Sequence, residues 1–463
     1  MKVKNLLLTI SCAISLAPSS VADDTAVQKI GDSLIDLKAL NLGDEKYGEV
    51  RFGTRINGLS FQQDAMVSHA GYQYVGYYDG DRKVCIARRK LPLGEWETIR
   101  FEDYTFKSND SHNVISIGVS PADGTIHMAF DHHVHPLHYR VSRAGVATDP
   151  SETVWEADLF SPILSELEKN KPIKISYPRF WQTPSGGLQF CYRIAGSGNG
   201  IRMMVDYDPK KGKWHSTRQI DSNKGNYGKS SSRGSYPNGF TYGPKGKLHR
   251  TWVWREGSGS ANHDLMYVYS EDQGKTWLNN KGKKLRQPAS LDSPDITVID
   301  IHESYGLVNT HGQAVDSKGR IHTVVRHCND ASLKAAGSKP GVERFGPTAA
   351  RKYFHYFRQA DGTWETRILP GQAASRPKVF IDKEDSIYLI CQKSGSLLIM
   401  KASAAKDWQD WKIVHTESGR FSNEMLGDLY RWKESGILSI MVQEKPKQGH
   451  EPSSLRILDF KFH

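Results

Sequence analysis

The sequence predicts an all-β fold, a seven-bladed β-propeller, and three observations carry that prediction. A polar turn, usually closed by Gly and followed by an apolar or aromatic strand, recurs seven times. The intervals run from 50 residues (Ser386 to Gly436) to 73 (Gly246 to Gly319), each with room for about four short strands and few helical stretches. Ser270-Glu-Asp-Gln-Gly-Lys-Thr-Trp277 matches the Asp-box pattern S-x-D-x-G-x-T-W, with degenerate relatives at Asp361-Gly-Thr-Trp364, Gly94-Glu-Trp96 and Gly212-Lys-Trp214. An Asp box staples a hairpin turn on a propeller rim and is not itself catalytic.

The chain opens with a secretory pattern over residues 1–22: basic Lys2 and Lys4, an apolar run over 6–16, then Ser20-Val-Ala22 before Asp23. Thr9-Ile-Ser before Cys12 is a poor lipobox. No later apolar run is long enough to span a bilayer. The expectation is an exported protein, secreted or periplasmic, without a membrane segment. Residues 23–463 then form one propeller domain, whose ring closes by pairing the N-terminal strand with the last blade; a monomer is expected.

The turns that define the blades fall at Gly71, Gly124, Gly187, Gly246, Gly319, Ser386 and Gly436. The second blade holds the densest chemistry. Over residues 110–140 the sequence reads as a hairpin, with a strand from His112, a turn at Pro121-Ala-Asp-Gly124 and a return strand ending at Asp131. That brings His112 beside His132 and His133.

The repeat frame extends this to the other blades. Ten residues before the turn stand Tyr177, Tyr236, Asn309 and Arg376, and His112 stands twelve before its own. All occupy the start of the innermost strand, at one mouth of the central funnel. Counting forward to the end of the next strand reaches Asp131, His132 and His133 in blade 2, Arg193 in blade 3 and Arg326 in blade 5. A Tyr-Pro pair alone reads as a packed strand start. A shared register of His, Tyr and Arg at one mouth reads as a binding site.

Net charge is +11 over 463 residues, and the Lys and Arg are spread along the chain. That favours a polyanionic partner. No nucleic-acid motif is present, so no nucleic-acid partner is expected and an acidic polysaccharide remains. Beyond the leader stand Cys85, Cys191, Cys328 and Cys391, read as buried free thiols.

A mouth of His, Tyr and Arg without a carboxylate pair argues against ordinary glycoside hydrolysis. It suits β-elimination on a uronic acid. A base removes the C5 proton, a cation neutralises the neighbouring carboxylate, and an acid protonates the departing O4. Arg matches a carboxylate bidentately.

His112, His132, Tyr177, Arg193 and Tyr236, in this order and spacing, resemble the active-site set of the propeller-type ulvan lyases, polysaccharide lyase families twenty-four and twenty-five. The resemblance covers essentially the whole chain after the leader and is nearer to family twenty-five. It implies cleavage of ulvan, a sulfated uronic-acid polysaccharide, between rhamnose 3-sulfate and glucuronic or iduronic acid, leaving a 4,5-unsaturated uronate. It implies His112 and Tyr177 as base and acid, with Arg193 neutralising the carboxylate, helped by His132 and Tyr236. The adjacent His133 leaves the choice of imidazole open, because neighbouring strand residues face opposite sides. Arg326, Arg376 and Asn309 come from the repeat frame as substrate contacts. His249, His263, Cys328 and Cys391 offer a Cys2His2 set, with His311 and His327 as rivals. The resemblance implies that such a set holds a structural zinc, with no catalytic cofactor. Two other readings stay open, a sialidase-like glycoside hydrolase and a non-catalytic propeller that binds acidic glycans.

Overall fold

Each repeat turn closes a hairpin, and the backbone shows why Gly recurs there. Gly71, Gly124, Gly246, Gly319 and Gly436 take φ between +64° and +78°, a region that side chains with a Cβ avoid. Blade 3 uses Gly186 at +80°, and blade 6 uses Asp385 at +60°. The computed structural model describes residues 27–41, 46, 56–58 and 64–463 apart from 170, 260, 423 and 450. The expected leader lies outside the described residues.

Seven antiparallel sheets follow one another along the chain. Their innermost strands are Met66–His69, Ser116–Ser120, Lys174–Gln182, Ser230–Tyr242, Gly312–Val315, Lys378–Ile381 and Leu426–Gly427. Residues from all seven blades line one axial cavity. The cores are wedges between neighbouring sheets. One packs Tyr74, Ile86 and Phe101 of blade 1 against Ile117 and Met128 of blade 2. Another packs Cys191 and Met204 of blade 3 against Trp252, Trp254 and Trp277 of blade 4. Successive side chains point to opposite faces, and strands such as Tyr72–Tyr78 are buried throughout, so each sheet buries both faces in this way. The Asp box caps that second wedge. The Asp272 carboxylate accepts from the Thr276 N–H at 2.8 Å and from the Ser270 hydroxyl at 2.8 Å, which seats Trp277 in the core.

The ring closes as expected. Val27–Ala39 pairs antiparallel with Ser453–Phe462 and forms the outer strand of blade 7. The seam between blades 7 and 1 is held by buried charge. Asp459 accepts from Arg89 at 2.8 Å and from Arg431 at 2.7 Å, all three fully enclosed.

The hairpin of blade 2 differs from expectation at its start. Its first strand is Ser116–Ser120, not a strand from His112. Asp110 stops it, because its carboxylate takes the His112 N–H at 3.0 Å and its carbonyl takes the Asn113 N–H at 3.1 Å, closing a turn. After the return strand Thr125–Ala129 the chain crosses over, and His133–Pro136 pairs with the innermost strand of blade 3. Helices are few: Asp330–Ala335 and Leu429–Ser435 are the α-helices among the described residues. Among the described residues no helix is long and apolar enough to cross a membrane.

Candidate active site

The Asp110 turn and the crossover strand together build the site. The turn holds His112 at the mouth, and the pairing of His133 with Ser176 brings His133 next to Tyr177. Asp110 joins the two imidazoles. One carboxylate oxygen meets His112 Nδ1 at 2.6 Å and the other meets His133 Nδ1 at 2.5 Å. The two rings stack with centroids 4.4 Å apart. An ionised carboxylate only accepts, so each Nδ1 carries the proton and each Nε2 keeps a lone pair. The Tyr177 hydroxyl stands 3.4 Å from His133 Nε2. Tyr177 itself is held at φ +58° beside a register shift in its strand, a strained position for a bulky residue.

Beneath these rings lies Arg193, almost wholly enclosed. Its guanidinium carbon is 4.4 Å from the Tyr177 ring centre. It donates to the Tyr236 hydroxyl at 2.9 Å, the Ser176 hydroxyl at 3.2 Å and the Ala195 carbonyl at 3.1 Å. Ser197 Oγ stands 3.1 Å from the same phenol oxygen of Tyr236.

Protonation follows from these contacts. Burial pushes His112 below the ordinary imidazole value, against the pull of Asp110 and with help from His133 and Arg376, so it is neutral at neutral pH. Burial also acts to raise Asp110, but the hydrogen bonds from His112 and His133 outweigh it and hold the carboxyl well below its usual range. Tyr177 is pushed up, first by burial and then by Tyr236, so it keeps its proton. Tyr236 is buried too, but Arg193 and Arg255 pull it below the ordinary phenol value.

The structure thus brings His112, His133, Tyr177, Arg193 and Tyr236 together. Arg376 stands close enough to act on His112, and it donates to the Asn309 carbonyl at 3.0 Å and to Glu424 at 3.0 Å. Arg326 donates to the Ala374 carbonyl at 2.7 Å, and burial lowers it to about 10. His132 is placed elsewhere. It is fully enclosed on the other side of the chain, its Nε2 accepts the His138 N–H at 2.9 Å, and burial holds it well below the usual imidazole range. Its Nδ1 has no partner among the described residues.

Two members of the site were not anticipated. Asp110 was read only as the edge of a hairpin. Arg255, at the end of the second strand of blade 4, is half-buried, with its guanidinium carbon 6.0 Å from the Tyr236 ring centre and its Nε without a hydrogen-bond partner. It occupies the place of Arg193 and Arg326 in their blades. Its strand, Leu248–Glu256, has 9 residues against 7 in each of the matching strands Leu188–Ile194 and Ile321–His327, which moves it beyond the forward count.

The expected zinc set is not assembled. His249 Nδ1 pairs with the Tyr267 hydroxyl at 2.9 Å. His263 is held between Glu256 and Asp264, each at 2.9 Å. Cys328 lies in a small cluster with Leu333 and Ala350, and Cys391 in the core shared by blades 5 and 6. The rival His327 bonds Tyr356 at 2.9 Å. The four cysteines among the described residues are free and buried. They fail to converge because each lies in a different wedge or loop. Among the described residues, Asp110, His112 and His133 are the group whose ligand-type atoms lie within 4.8 Å of one another. Their 2.5–2.6 Å spacings are those of shared protons. Ligand atoms at about 2.0–2.1 Å from a tetrahedral zinc would stand about 3.3 Å apart, so the triad as placed fits protons rather than an ion.

Comparison with known proteins gives one consistent picture. A family model described as "BNR repeat-containing family member" matches residues 72–371. A protein named "Ulvan lyase, long isoform" from Alteromonas sp is 24% identical over 93% of this chain and 46% of its own length. Its namesake from Pseudoalteromonas sp. (strain PLSV) is 25% identical over 81% of this chain and 41% of its own. "Ulvan lyase, short isoform" from Alteromonas sp. (strain LOR) is 25% identical over 87% of this chain and 82% of its own. The chain spans less than half the length of the long-isoform relatives. Among solved structures, polysaccharide lyase Uly1 superposes with a TM-score of 0.73 at 18% identity, covering 94% of this chain and 99% of that one. A PL25 ulvan lyase bound to -[GlcA(1-4)Rha3S]- gives 0.63 at 14% identity, covering 93% and 95%. These likenesses establish the seven-bladed fold.

Proposed function

The chain belongs to the BNR repeat-containing family, and from that premise we propose that it is an exported polysaccharide lyase that cleaves ulvan by β-elimination. The bond broken is that between rhamnose 3-sulfate and glucuronic or iduronic acid, and the product carries a 4,5-unsaturated uronate. The observation that carries this reading is the chain of contacts Tyr177–His133–Asp110–His112 laid over a buried arginine. The names of the relatives support the substrate.

Protonation states divide the labour. His112 is neutral, with its Nδ1 proton held by Asp110, so its Nε2 is the base for the C5 proton. Electrons of the C5–H bond form the C4=C5 double bond as the C4–O4 bond breaks. Tyr177 keeps its proton and gives it to the departing O4. Before transfer, His133 Nε2, 3.4 Å from the phenol oxygen, accepts its hydrogen bond; after the step the proton taken by His112 passes to solvent and solvent reprotonates Tyr177. The imidazolium formed at His112 is stabilised by Asp110. The uronate carboxylate needs a cation before C5 becomes acidic enough. Arg193 is occupied by Tyr236 and Ser176 and acts from below, so Arg255, with its Nε unsatisfied, is the guanidinium that meets the carboxylate. Arg376 and Arg326 add positive charge around the mouth. No step is routed through a metal. Activity should survive prolonged chelation with EDTA, and loss restored by zinc would reverse that reading.

The direct test follows the ultraviolet absorbance of the new double bond while the protein acts on ulvan. His112→Ala and Tyr177→Phe should each lower the rate by about 10²–10⁴-fold. Release of reducing sugar without new absorbance would identify a hydrolase instead. Binding without turnover would identify a glycan-binding propeller.

A further inference from the structure

Below the mouth, the same innermost strands line a second polar layer that the proposed chemistry does not use. Two residues beyond Tyr177, Tyr236, Asn309 and Arg376 stand Arg179, Asn238, His311 and Lys378, following the period of a strand. With Asp64 they line an axial cavity of about 120 Å³. Farther along, the lining turns apolar and aromatic at Trp181, Phe240, Phe380 and Tyr430.

The charges here do not balance locally. Arg179 Nε donates to Asp64 at 3.0 Å, and these two neutralise each other. The Lys378 ammonium makes no hydrogen bond and no ion pair within 4.0 Å among the described residues, and Asp64 and Glu424 act on it only from farther away. Burial pushes its ammonium down to about 8, Asp64 opposing and Arg179 adding to the effect. His311 supplies a second unanswered donor. Its Nε2 accepts the Arg326 N–H at 3.1 Å, so the ring proton is on Nδ1, and that buried Nδ1 has no acceptor. A buried donor without an acceptor is unfavourable, and the half-buried Lys378 lines the same cavity with no anion in contact with its ammonium.

We propose that this axial well binds one sulfate-type oxyanion, held by the Lys378 ammonium and the His311 Nδ1–H and flanked by Arg179. A tetrahedral oxyanion presents several acceptor oxygens at once, which suits donors converging from different blades. Two sources share this chemistry, a free inorganic sulfate and a sulfate ester carried by a polysaccharide at the mouth. The inference goes beyond the lyase reading and does not need it, since binding is read without turnover.

The test is calorimetric titration of the full chain with sodium sulfate, against sodium chloride matched in ionic strength. Sulfate should bind the wild type and Lys378→Arg, and bind Lys378→Met at least about tenfold more weakly. Thermal melts without sulfate establish that Lys378→Met is folded. Equal binding by wild type and folded Lys378→Met overturns the inference, as does absence of any sulfate-specific heat in the wild type. With the lyase assay alongside, free sulfate that raises KM on sulfated polymer assigns the well to the polymer's ester; an unchanged KM assigns it to a free ion. Sulfate binding without turnover would leave this inference standing and remove the proposed activity. Turnover without sulfate binding would do the reverse.

Discussion

Asp110 is the residue on which the site turns, because it orients two imidazoles with one carboxylate. Replacing it by Asn leaves a similar shape but allows the amide to donate as well as accept, so the imidazole tautomers are no longer imposed. We expect Asp110→Asn to lower turnover by about 10²-fold or more, in the manner of other carboxylates that hold a catalytic histidine. The pH profile separates this role from a structural one. As the proposed base, His112 has a depressed pKa, so activity should be lost as pH falls through a value below 6.5. Asp110 is one of the influences raising that value, so its removal should shift the acid limb to still lower pH. An unshifted limb in a folded variant would remove Asp110 from the mechanism. Arg255→Ala should raise KM at least about tenfold with a small effect on melting, as expected for loss of a charge-assisted contact to substrate. The sequence made His112, Tyr177, Arg193 and Tyr236 legible because a repeat frame converts spacing into position. It left Asp110 and Arg255 unread for local reasons. One closes a turn that looked like strand, and the other ends a strand longer than its counterparts in blades 3 and 5.

At the scale of elements, the site depends on one strand changing partners. His133–Pro136 leaves blade 2 and pairs with blade 3, and that exchange puts His133, rather than His132, beside Tyr177. Alternation along a strand told only that the two imidazoles face opposite ways. The choice between them needed the pairing, which is a long-range property. The four residues named as a zinc set are not brought together in this structure, because blade membership says nothing about which wedge each side chain enters. The seam between blades 7 and 1 is a second such element. Asp459 is enclosed between Arg89 and Arg431, so removing it strands two buried cations. Asp459→Ala should cost about 3–5 kcal/mol of stability, measured by denaturant unfolding. A loss no larger than that of an exposed ion pair would mean the seam is held by packing alone.

Across the whole molecule, fold and charge act together. The seven-bladed ring was legible from recurrence alone, since seven turns of one kind leave few other architectures. The net charge of +11 is spread rather than gathered, which suits capture of a long polyanion by the whole surface. Such capture is screened by salt over a Debye length of about 8–10 Å. Raising ionic strength should therefore raise KM on polymer while leaving kcat on short oligosaccharides nearly unchanged. Equal salt sensitivity for polymer and short substrates would place the electrostatic contribution inside the site.

The closing strand also sets the order of events in folding. Val27 pairs with Phe462, so the earliest described strand waits for a partner 435 residues later (462 − 27). Contacts of such sequence separation lower folding rates and lengthen the time for which sheet edges stay open. The ring cannot close until that last strand has left the ribosome. Closure is therefore a late step, and the blade most exposed to mispairing with another chain is the one that joins these two distant strands.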